Sequence, residues 1–302
     1  MSMGMNNSNN NNGTAPVRWF AEDIWQAVEP VLPGFTVEVL PSIDSTSTEL
    51  MRRARAGRAE PTLLVAESQT AGRGRMGRPW QSQAQGTPAE GSGALASLTF
   101  SLGLPLAPAD WSGLSLAVGV SVAESLQPVL PAPGSGAPRI GLKWPNDVWL
   151  DGDRKLAGIL VETASFVAPQ AGGSAPGGAR YVVVGIGINL LPRPGDGMNR
   201  PPASLSEIDA ALDAPAALAR IAAPLVGMLQ AFERQGFAPV QPRFALRDAL
   251  AGRDVTLSDG QTGIAQGVAA DGALLVQTPC GLQTVTSSEI SVRPAGQALP
   301  AQ

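Results

Sequence analysis

Four segments rich in Val, Ile and Leu follow one another between positions 140 and 190, and this run constrains the fold more than any other feature. Residues of this kind, in short runs bounded by turns, are typical of buried β-strands. The segments are Ile140–Trp144, Val148–Leu150, Leu156–Thr163 and Arg180–Leu190. Similar runs earlier in the chain predict three more strands, at Thr36–Leu40, Thr62–Glu67 and Ala94–Leu102. The 302 residues, 44% of them hydrophobic, suffice to bury a full core.

Apolar residues at helical spacing separate several of these strands. Within residues 45–49, a Ser or Thr is followed three residues later by Glu, which is the capping signature that opens a helix. The predicted helices are Arg18–Leu32, a helix that opens at Ser45–Glu49 and continues through Leu50–Ala56, then Leu114–Leu126 and Ala216–Phe232. Four spacers rich in Gly, Pro, Ser and Ala are predicted to be surface loops, at Gln81–Gly93, Pro131–Pro138, Ala168–Gly178 and Pro192–Pro202.

The pattern changes after Arg247, where short strands alternate with Asp-Gly and Cys-Gly turns. Five short strands in succession predict a small closed β-barrel. They are Asp254–Leu257, Gln261–Ala269, Leu274–Thr278, Leu282–Val285 and Glu289–Val292. We therefore expect a disordered tail at residues 1–15, a large domain at 16–247 and a small structural or docking domain at 248–296.

Composition excludes several classes of chemistry. The chain has no His and one Cys, Cys280, so it can form neither an internal disulfide nor a His-ligated or multi-Cys metal site. A net charge of −4 gives no general attraction to nucleic acid. No apolar run approaches the roughly 18–20 residues that span a bilayer, and the N-terminus lacks a signal-peptide pattern. We expect a cytoplasmic protein.

The segment Gln69–Trp80 is the most unusual in the chain, because from Gly72 onward it places three Arg and three Gly in nine residues. Gly lets a backbone approach a ligand closely, and the Arg fork binds carboxylate or phosphate. No Gly-Lys-Ser/Thr follows, so the segment is not a Walker loop. Two alternatives remain open at this point: a solvated basic loop, and an Arg/Gly segment that binds RNA.

The two Lys residues stand out because the other 19 basic residues are Arg. Lys143 begins Lys-Trp-Pro-Asn-Asp at the end of a strand, and Lys155 begins the strand that ends at Glu162. A chain that tolerates Arg elsewhere keeps Lys where a compact ammonium group is needed, or by chance. A surface turn and a snorkelling edge Lys are the structural alternatives. Gly185–Asn189 is a Gly-punctuated strand, which indicates close packing or a nearby ligand.

Five motifs together resemble the catalytic domain of biotin–protein ligases. The resemblance runs from Ile43 to Leu191 and extends more loosely to the C-terminal barrel. Each motif alone is weak, whereas five in this order with compatible gaps are specific. They are Asp44-Ser45-Thr46, Gly72–Trp80 (GRGRMGRPW), Lys143–Asp147 (KWPND), Lys155–Glu162 (KLAGILVE) and Gly185–Asn189 (GIGIN).

The resemblance implies an α+β fold, in which helices flank a mixed β-sheet like that of class II aminoacyl-tRNA synthetases, followed by a small SH3-like β-barrel. It also implies a two-step reaction. The biotin carboxylate attacks the α-phosphate of ATP, with Mg²⁺, to give biotinyl-adenylate. A Lys amine of a biotin carboxyl carrier domain, such as that of acetyl-CoA carboxylase, then attacks the mixed anhydride.

The same resemblance assigns roles to individual residues. Lys155, Arg75 and Arg73 would be the catalytic residues, because they would bind the biotin carboxylate and the phosphates and shield the adenylate. Asp147 is a candidate ligand for the metal. The implied biotin-binding residues are Ser45, Thr46, Ser47, Gln69, Arg73, Gly74, Arg75, Lys155, Gly158 and Leu160. The implied ATP-binding residues are Arg75, Arg78, Trp80, Lys143, Asn146, Gly185 and Asn189.

Three other functions compete with this one. A repressor with an N-terminal winged helix is not expected, because only about 40 residues precede Asp44, fewer than the roughly 60 that such a domain needs. A lipoate or octanoate ligase would need a long apolar channel, which the polar Ser-Thr and Gln69 cluster does not suggest. A non-catalytic biotin-binding protein would not need three Arg and two Lys. We expect neither DNA nor membrane binding, and a monomer or weak homodimer.

Overall fold

The computed structural model describes residues 17–81, 95–132, 134–165, 179–193, 195, 201–286 and 292–294. The predicted disordered tail at 1–15 and almost all of the spacers at 81–93 and 168–178 lie outside the described residues. The statements that follow concern the described part of the chain.

A seven-stranded sheet forms the centre of the larger part of the molecule. Its strands are β1 (Thr36–Leu40), β2 (Thr62–Ala66), β3 (Ser97–Leu106), β4 (Ile140–Lys143), β5 (Asp147–Leu150), β6 (Arg154–Ala164) and β7 (Arg180–Asn189). The order across the sheet is β1-β2-β3-β7-β6-β5-β4. The pair β1–β2 is parallel and the other pairs are antiparallel, so the sheet is mixed, as the resemblance implies.

Helices cover both faces of this sheet, and because five of its six strand pairs are antiparallel, the fold is α+β. The helices are α1 (Ala21–Val28), α2 (Thr46–Arg55), α3 (Leu114–Leu126), α4 (Ala214–Gln235) and α5 (Gln241–Ala245). Because side chains alternate along a strand, Leu64 and Val183 pack with α2, while Leu63 and Val184 pack into the larger core with α3 and α4. The candidate site lies on the α2 face.

The helices differ from the sequence prediction in two places. The first helix begins at Ala21 instead of Arg18, and the residue before it, Phe20, has a left-handed backbone conformation with φ of 35°. The short helix α5 was not predicted, because five residues are too few to show a helical period. Helix α2 begins as expected, with the Ser45 hydroxyl accepting from the Thr48 N–H at 3.3 Å.

Helix α4 is long and apolar enough, by length and composition, to cross a membrane. However, 56% of its most apolar stretch is buried inside the protein. Its buried residues, among them Leu218, Leu225 and Phe232, belong to the main core. Its apolar character is therefore explained by packing against the sheet and α3.

The C-terminal strands form a separate five-stranded antiparallel sheet, in the order β11-β10-β9-β8-β12. They are β8 (Asp254–Leu257), β9 (Thr262–Val268), β10 (Leu274–Thr278), β11 (Gly281–Val285) and β12 (Val292–Pro294). The strand predicted at Glu289–Val292 overlaps β12 at Val292 and ends two residues too early, and residues 289–291 of that prediction lie outside the described ones. Closure of this sheet into a barrel stays a prediction.

The chain just before the small sheet pairs with β4, and the turn between β9 and β10 contacts the turn that follows β4. The backbone N–H of Leu142 donates to Arg247 O at 2.6 Å, and Ala249 N–H donates to Leu142 O at 2.9 Å. Beyond this pairing, the Trp144 indole, which is only 1% exposed, donates from Nε1 to the Gly272 carbonyl at 3.0 Å. The turn at residues 144–146 is thus held by the C-terminal sheet.

Candidate active site

Strand register builds the floor of a cleft on the α2 face of the large sheet. Gly158 on β6 stands opposite Gly187 on β7 and opposite Asp147 on β5. Two residues further along β6, on the same face, Leu160 stands opposite Gly185. Cross-strand partners point to the same face of a sheet, so a row of small residues leads across three strands to the Asp147 carboxylate.

The glycines of this floor leave room for side chains that lie on it. A Cβ at Gly187 would clash with the Trp80 ring, and one at Gly185 would clash with the Ser47 hydroxyl. The Gly-punctuated strand therefore serves close packing, and the groups packed on it line the cleft themselves. The tight packing predicted from the sequence is therefore confirmed, and the nearby ligand stays a prediction.

One end of the cleft is made of neutral hydrogen-bonding groups, and we call Ser45, Thr46, Ser47 and Gln69 the neutral end. The three residues at the start of α2 are 2–5% exposed. The Gln69 side-chain Oε1 accepts from Thr46 N–H at 2.8 Å and from the Thr46 hydroxyl at 3.2 Å. A parallel β-bridge between Ile43 and Gln69 holds the two chain segments that carry these groups next to each other.

The other end carries charge, and we call Arg73, Arg75, Lys143, Asp147 and Lys155 the cationic end. The Lys155 Nζ lies 2.6 Å from Asp147 Oδ1, and the Lys143 Nζ lies 3.9 Å from Asp147 Oδ2. Burial alone would raise the pKa of the Asp147 carboxyl, but the two ammonium groups outweigh it and hold the pKa below its usual range. Asp147 is therefore an anion that keeps two cations in place.

The Arg/Gly segment folds back on itself beside this end. Gly74 N–H donates to Arg78 O at 2.7 Å, and Trp80 N–H donates to Gly72 O at 2.9 Å. These bonds close a short hairpin, so the segment has a defined backbone, while most of its residues are exposed to solvent. Burial lowers the pKa of the Arg75 guanidinium, an effect that the nearby Asp147 partly offsets.

Arg73 and Arg75 of the hairpin each contact a side chain outside it. Arg73 Nη1 lies 3.9 Å from Glu162 Oε1, and its side chain is 50% exposed. Arg75 Nη1 donates to Asn146 Oδ1 at 3.5 Å, while Asn146 Nδ2 donates to the Ile159 carbonyl at 2.8 Å. The turn after β4 thus connects the Arg hairpin to β6.

The structure brings together all but one of the site residues inferred from sequence. The cleft is lined by Ser45, Thr46, Ser47, Gln69, Arg73, Gly74, Arg75, Arg78, Trp80, Lys143, Asn146, Asp147, Lys155, Gly158, Leu160 and Gly185. The exception is Asn189, which is 1% exposed and does not line the cleft. Its Nδ2 donates to the carbonyls of Lys155 and Ala203, at 3.1 Å each, so it ties the start of β6 to a neighbouring segment. The individual roles remain predictions.

Sequence reasoning missed several residues of the site. Phe100 and Ile186 line the cleft but belong to ordinary apolar strands, so nothing in the sequence distinguishes them. Arg193 lies with its guanidinium carbon 5.6 Å from the centre of the Trp80 ring and donates to Gln81 O at 3.1 Å. The position of Arg193, a few residues after the Gly-punctuated strand, is the one feature of the sequence that indicates a place near the site. Ser101, buried beneath the neutral end, had no sequence signal.

The assignment of Asp147 as a metal ligand stays a prediction, and the ion pairs of this residue argue against it. Its carboxylate already pairs with two Lys ammonium groups, whose charge opposes that of a cation. Residues 17–81, 95–165 without 133, and the later described segments contain no group of three or more Cys, Asp or Glu residues placed to hold a metal ion. Mg²⁺ is usually bound through one or two carboxylates together with substrate phosphates, and the carboxylate at this end of the cleft is already paired with two ammonium groups.

Comparison with known proteins gives the class of protein that this fold and cleft define. The family described as "Biotin/lipoate A/B protein ligase family" matches residues 39–174. The family described as "Biotin protein ligase C terminal domain" matches residues 252–293. The first match contains all of the residues that line the cleft except those on β7, and the second begins just before β8.

Individual relatives narrow the class. The bifunctional ligase/repressor BirA of Escherichia coli is 36% identical over 272 residues, which are 87% of this chain and 76% of the relative. The biotin--[acetyl-CoA-carboxylase] ligase of Paracoccus denitrificans is 34% identical over 268 residues, 83% of this chain and 98% of the relative. The solved biotin protein ligase from Aquifex aeolicus in complex with biotin and ATP has a TM-score of 0.65 and 27% identity, covering 86% of this chain and 99% of that one.

The chain therefore belongs to the biotin–protein ligase family and is a ligase. The resemblance that five short motifs indicated is confirmed by similarity along most of the chain.

Proposed function

We propose that the protein uses ATP to form biotinyl-5'-AMP and then transfers biotin to one lysine of a biotin carboxyl carrier domain, such as that of acetyl-CoA carboxylase. One observation carries the proposal: a single cleft joins a neutral hydrogen-bonding end to a cationic end. Biotin itself has these two parts, a neutral ureido ring and a carboxylate. The solved Aquifex aeolicus relative binds biotin and ATP.

The neutral end would hold the ureido ring. A ureido group offers two N–H donors and one carbonyl acceptor, so it needs both kinds of partner in a buried place. Ser45, Ser47 and Gln69 line the cleft and together provide hydroxyl and amide groups. Such a site rejects ligands that leave its buried polar groups unpaired, which gives it specificity for the ring.

The cationic end would serve the first reaction step. A carboxylate and a triphosphate repel each other, so the attack of the biotin carboxylate on the α-phosphate needs fixed positive charge. Lys155 stands between the Asp147 carboxylate and the Trp80 ring, with Nζ 2.6 Å from Oδ1 and 5.9 Å from the ring centre. It would bind the biotin carboxylate and the charge that develops on the acyl phosphate. Pyrophosphate leaves with the electrons of the broken P–O bond.

The Arg hairpin would act in both steps. Arg75 is half-buried over the cationic end, so its guanidinium can contact the carboxylate and phosphates and cover the mixed anhydride. In the second step the neutral amine of the carrier lysine attacks the biotinyl carbonyl carbon, and AMP leaves. Neither step needs a nucleophile from the protein, which agrees with a chain that has no His and one exposed Cys, Cys280. We expect Mg²⁺ to arrive on the ATP phosphates.

Three finer statements belong to the same proposal. We propose that the five-stranded C-terminal sheet is an SH3-like barrel, that the protein works as a monomer or weak homodimer, and that it acts in the cytoplasm. The polar composition of the neutral end favours biotin over lipoate, the other substrate that the family description mentions. A ligase for lipoate would present an apolar channel to the dithiolane and acyl chain.

The test is direct. Purified protein is incubated with ATP, Mg²⁺, a biotin carboxyl carrier domain and either biotin or lipoate, and the carrier is weighed by mass spectrometry. We expect the biotin mass increment on one lysine and none with lipoate. An unmodified carrier, or equal labelling by lipoate, contradicts the proposal. A gel shift with biotin operator DNA tests the repressor function that the Escherichia coli relative's name includes.

A further inference from the structure

Beneath the neutral end lies a hydroxyl that no motif indicated. Ser101 stands in the middle of β3 and is 0% exposed, so it does not reach the cleft. Its Oγ lies 2.7 Å from the Thr46 hydroxyl and 2.9 Å from the Ser47 hydroxyl. Ser101 therefore lies at hydrogen-bond distance from both the Thr46 and the Ser47 hydroxyls, which belong to residues that line the cleft.

The direction of these hydrogen bonds follows from their end point. The backbone N–H of Thr46 can only donate, so the atom that faces it at 2.8 Å must be the Gln69 oxygen. An amide oxygen only accepts, and the Thr46 hydroxyl, 3.2 Å from that oxygen, must donate to it. Having given its one hydrogen to Gln69, the Thr46 hydroxyl can only accept from Ser101.

The same reasoning passes along the chain of hydroxyls. Ser101 gives its one hydrogen to Thr46, so it can only accept from the Ser47 hydroxyl. The Ser47 hydrogen is thereby directed inward, and its oxygen presents lone pairs to the cleft, which it lines. An orientation that would otherwise vary among hydroxyl rotamers is fixed by one buried acceptor.

Sheet register explains why this arrangement fits. Ser101 is paired with Gly185 on the neighbouring strand, and cross-strand partners share a face. Because Gly185 has no side chain, the Ser47 Oγ occupies the space beside Ser101, where a Cβ on residue 185 would clash with it. The Ser47 and Ser101 hydroxyls thus share the space that the missing Cβ of Gly185 leaves open.

We propose that Ser101 is a positioning residue for biotin, which polarises the chain Ser47–Ser101–Thr46–Gln69 so that Ser47 accepts a hydrogen bond from a ureido N–H. The ligand class that this selects is a buried N–H donor, not an acceptor. The inference rests on the proposed function, since it names the chemistry by which the neutral end would recognise the biotin ring.

The first experiment is Ser101→Ala, measured by ATP–pyrophosphate exchange with biotin varied. Loss of the acceptor frees the Ser47 hydrogen, so we expect the KM for biotin to rise about 5- to 10-fold, since a hydrogen bond contributes about 1 kcal/mol. The kcat and the KM for ATP should stay within twofold, because the lost contact acts on ground state and transition state alike.

The matched control is Ser121→Ala on α3. Ser121 is also buried, at 3% exposed, but its hydroxyl has no hydrogen-bond partner and it lies outside the cleft. The substitution is chemically identical and should leave every kinetic constant unchanged. A biotin KM that stays within twofold in Ser101→Ala, as in Ser121→Ala, overturns the proposal.

The second experiment separates orientation from packing. Two biotin analogues, each methylated at one ureido nitrogen, are compared with biotin in the wild-type protein and in Ser101→Ala. If Ser47 is held as an acceptor, one analogue is strongly disfavoured by the wild-type protein, and the discrimination falls at least threefold in the variant. Equal discrimination in both proteins means that Ser101 acts through packing alone, and the proposal fails.

Ser47→Ala keeps the proposal testable if Ser101→Ala folds poorly. Ser47→Ala should raise the biotin KM by a similar factor, and adding Ser101→Ala to it should add less than twofold. Additive effects of the two substitutions contradict a chain that acts through Ser47. Absence of exchange in the wild-type protein defeats the proposed function itself, whereas normal exchange with an unaffected Ser101→Ala defeats only the inference.

Discussion

The two ends of the cleft are built on opposite principles. In the neutral end, hydroxyl and amide groups bond to one another, and Thr46, Ser47 and Ser101 are at most 5% exposed. In the cationic end, Lys155 is 40% exposed at its side chain and depends on Asp147 for a counter-charge. Neutral groups can satisfy one another before a ligand arrives, whereas like charges cannot be gathered without an anion among them. Substitutions should therefore be tolerated better at the neutral end.

Lys155→Ala gives the largest expected effect. It removes the ammonium group beside the reacting carboxylate and leaves Asp147 paired with the more distant Lys143. We expect ATP–pyrophosphate exchange to fall by about 1,000-fold, the upper range for removal of one electrostatic contact to a transition state. Near-normal exchange would show that the cationic end does not work through this residue.

Two variants serve as controls for that result. Lys143→Ala removes the same kind of group at 3.9 Å from Asp147 instead of 2.6 Å, and we expect a loss of only about tenfold. Lys155→Ala combined with Asp147→Asn should be no worse than Lys155→Ala alone if Asp147 serves to hold the lysine. A double variant that loses far more activity would give Asp147 a role of its own.

Arg75→Gly should uncouple adenylate formation from retention of the adenylate. Without the half-buried guanidinium over the cationic end, we expect biotinyl-adenylate to escape and biotinylate unrelated proteins about tenfold above background. A tenfold change corresponds to about 1.4 kcal/mol, close to the lower range for one hydrogen bond to a charged group. Labelling of a bystander protein is measured on a blot. The control is Arg58→Gly, which changes an exposed arginine away from the cleft. Equal labelling by both variants contradicts a shielding role for Arg75.

Trp144→Phe tests whether the cationic end depends on the C-terminal sheet. It removes the hydrogen bond to the buried Gly272 carbonyl, so we expect a loss of about 1–3 kcal/mol in the free energy of unfolding. The kcat should also fall several-fold, because the turn that carries Asn146 is no longer held. Trp25→Phe on α1 loses an equivalent bond, from Nε1 to Phe35 O at 3.0 Å, and should leave kcat unchanged.

Ser45→Ala should have the smallest effect. It removes the cap of α2, and we expect about 1 kcal/mol of lost stability in denaturant unfolding together with a few-fold rise in the biotin KM. Asp213→Ala removes the cap of α4, where Asp213 accepts from Ala216 N–H at 2.9 Å, and should cost similar stability with no change in KM. If both variants alter the biotin KM equally, the neutral end is not the ring site.

Much of the secondary structure and most of the cleft were predictable from the sequence. The helix Leu114–Leu126 and the strand Leu274–Thr278 have the predicted bounds, because periodicity and turn residues are local signals. Lys143 and Lys155 were singled out by their rarity among arginines, and both line the cleft. The end of the last strand was predicted two residues too early, and α5 was missed, because short elements carry little periodicity.

What the sequence determined by itself is the inventory: which residues can carry charge, which glycines can be approached, and the absence of any imidazole. What the tertiary structure decided is which of these groups meet. Strand register set Gly158 beside Asp147, buried Asn189 out of the cleft, and placed Ser101 under Ser47. These are contacts between strands and helices far apart in the chain. Their cause is the pairing of whole strands, a long-range interaction that no local pattern encodes.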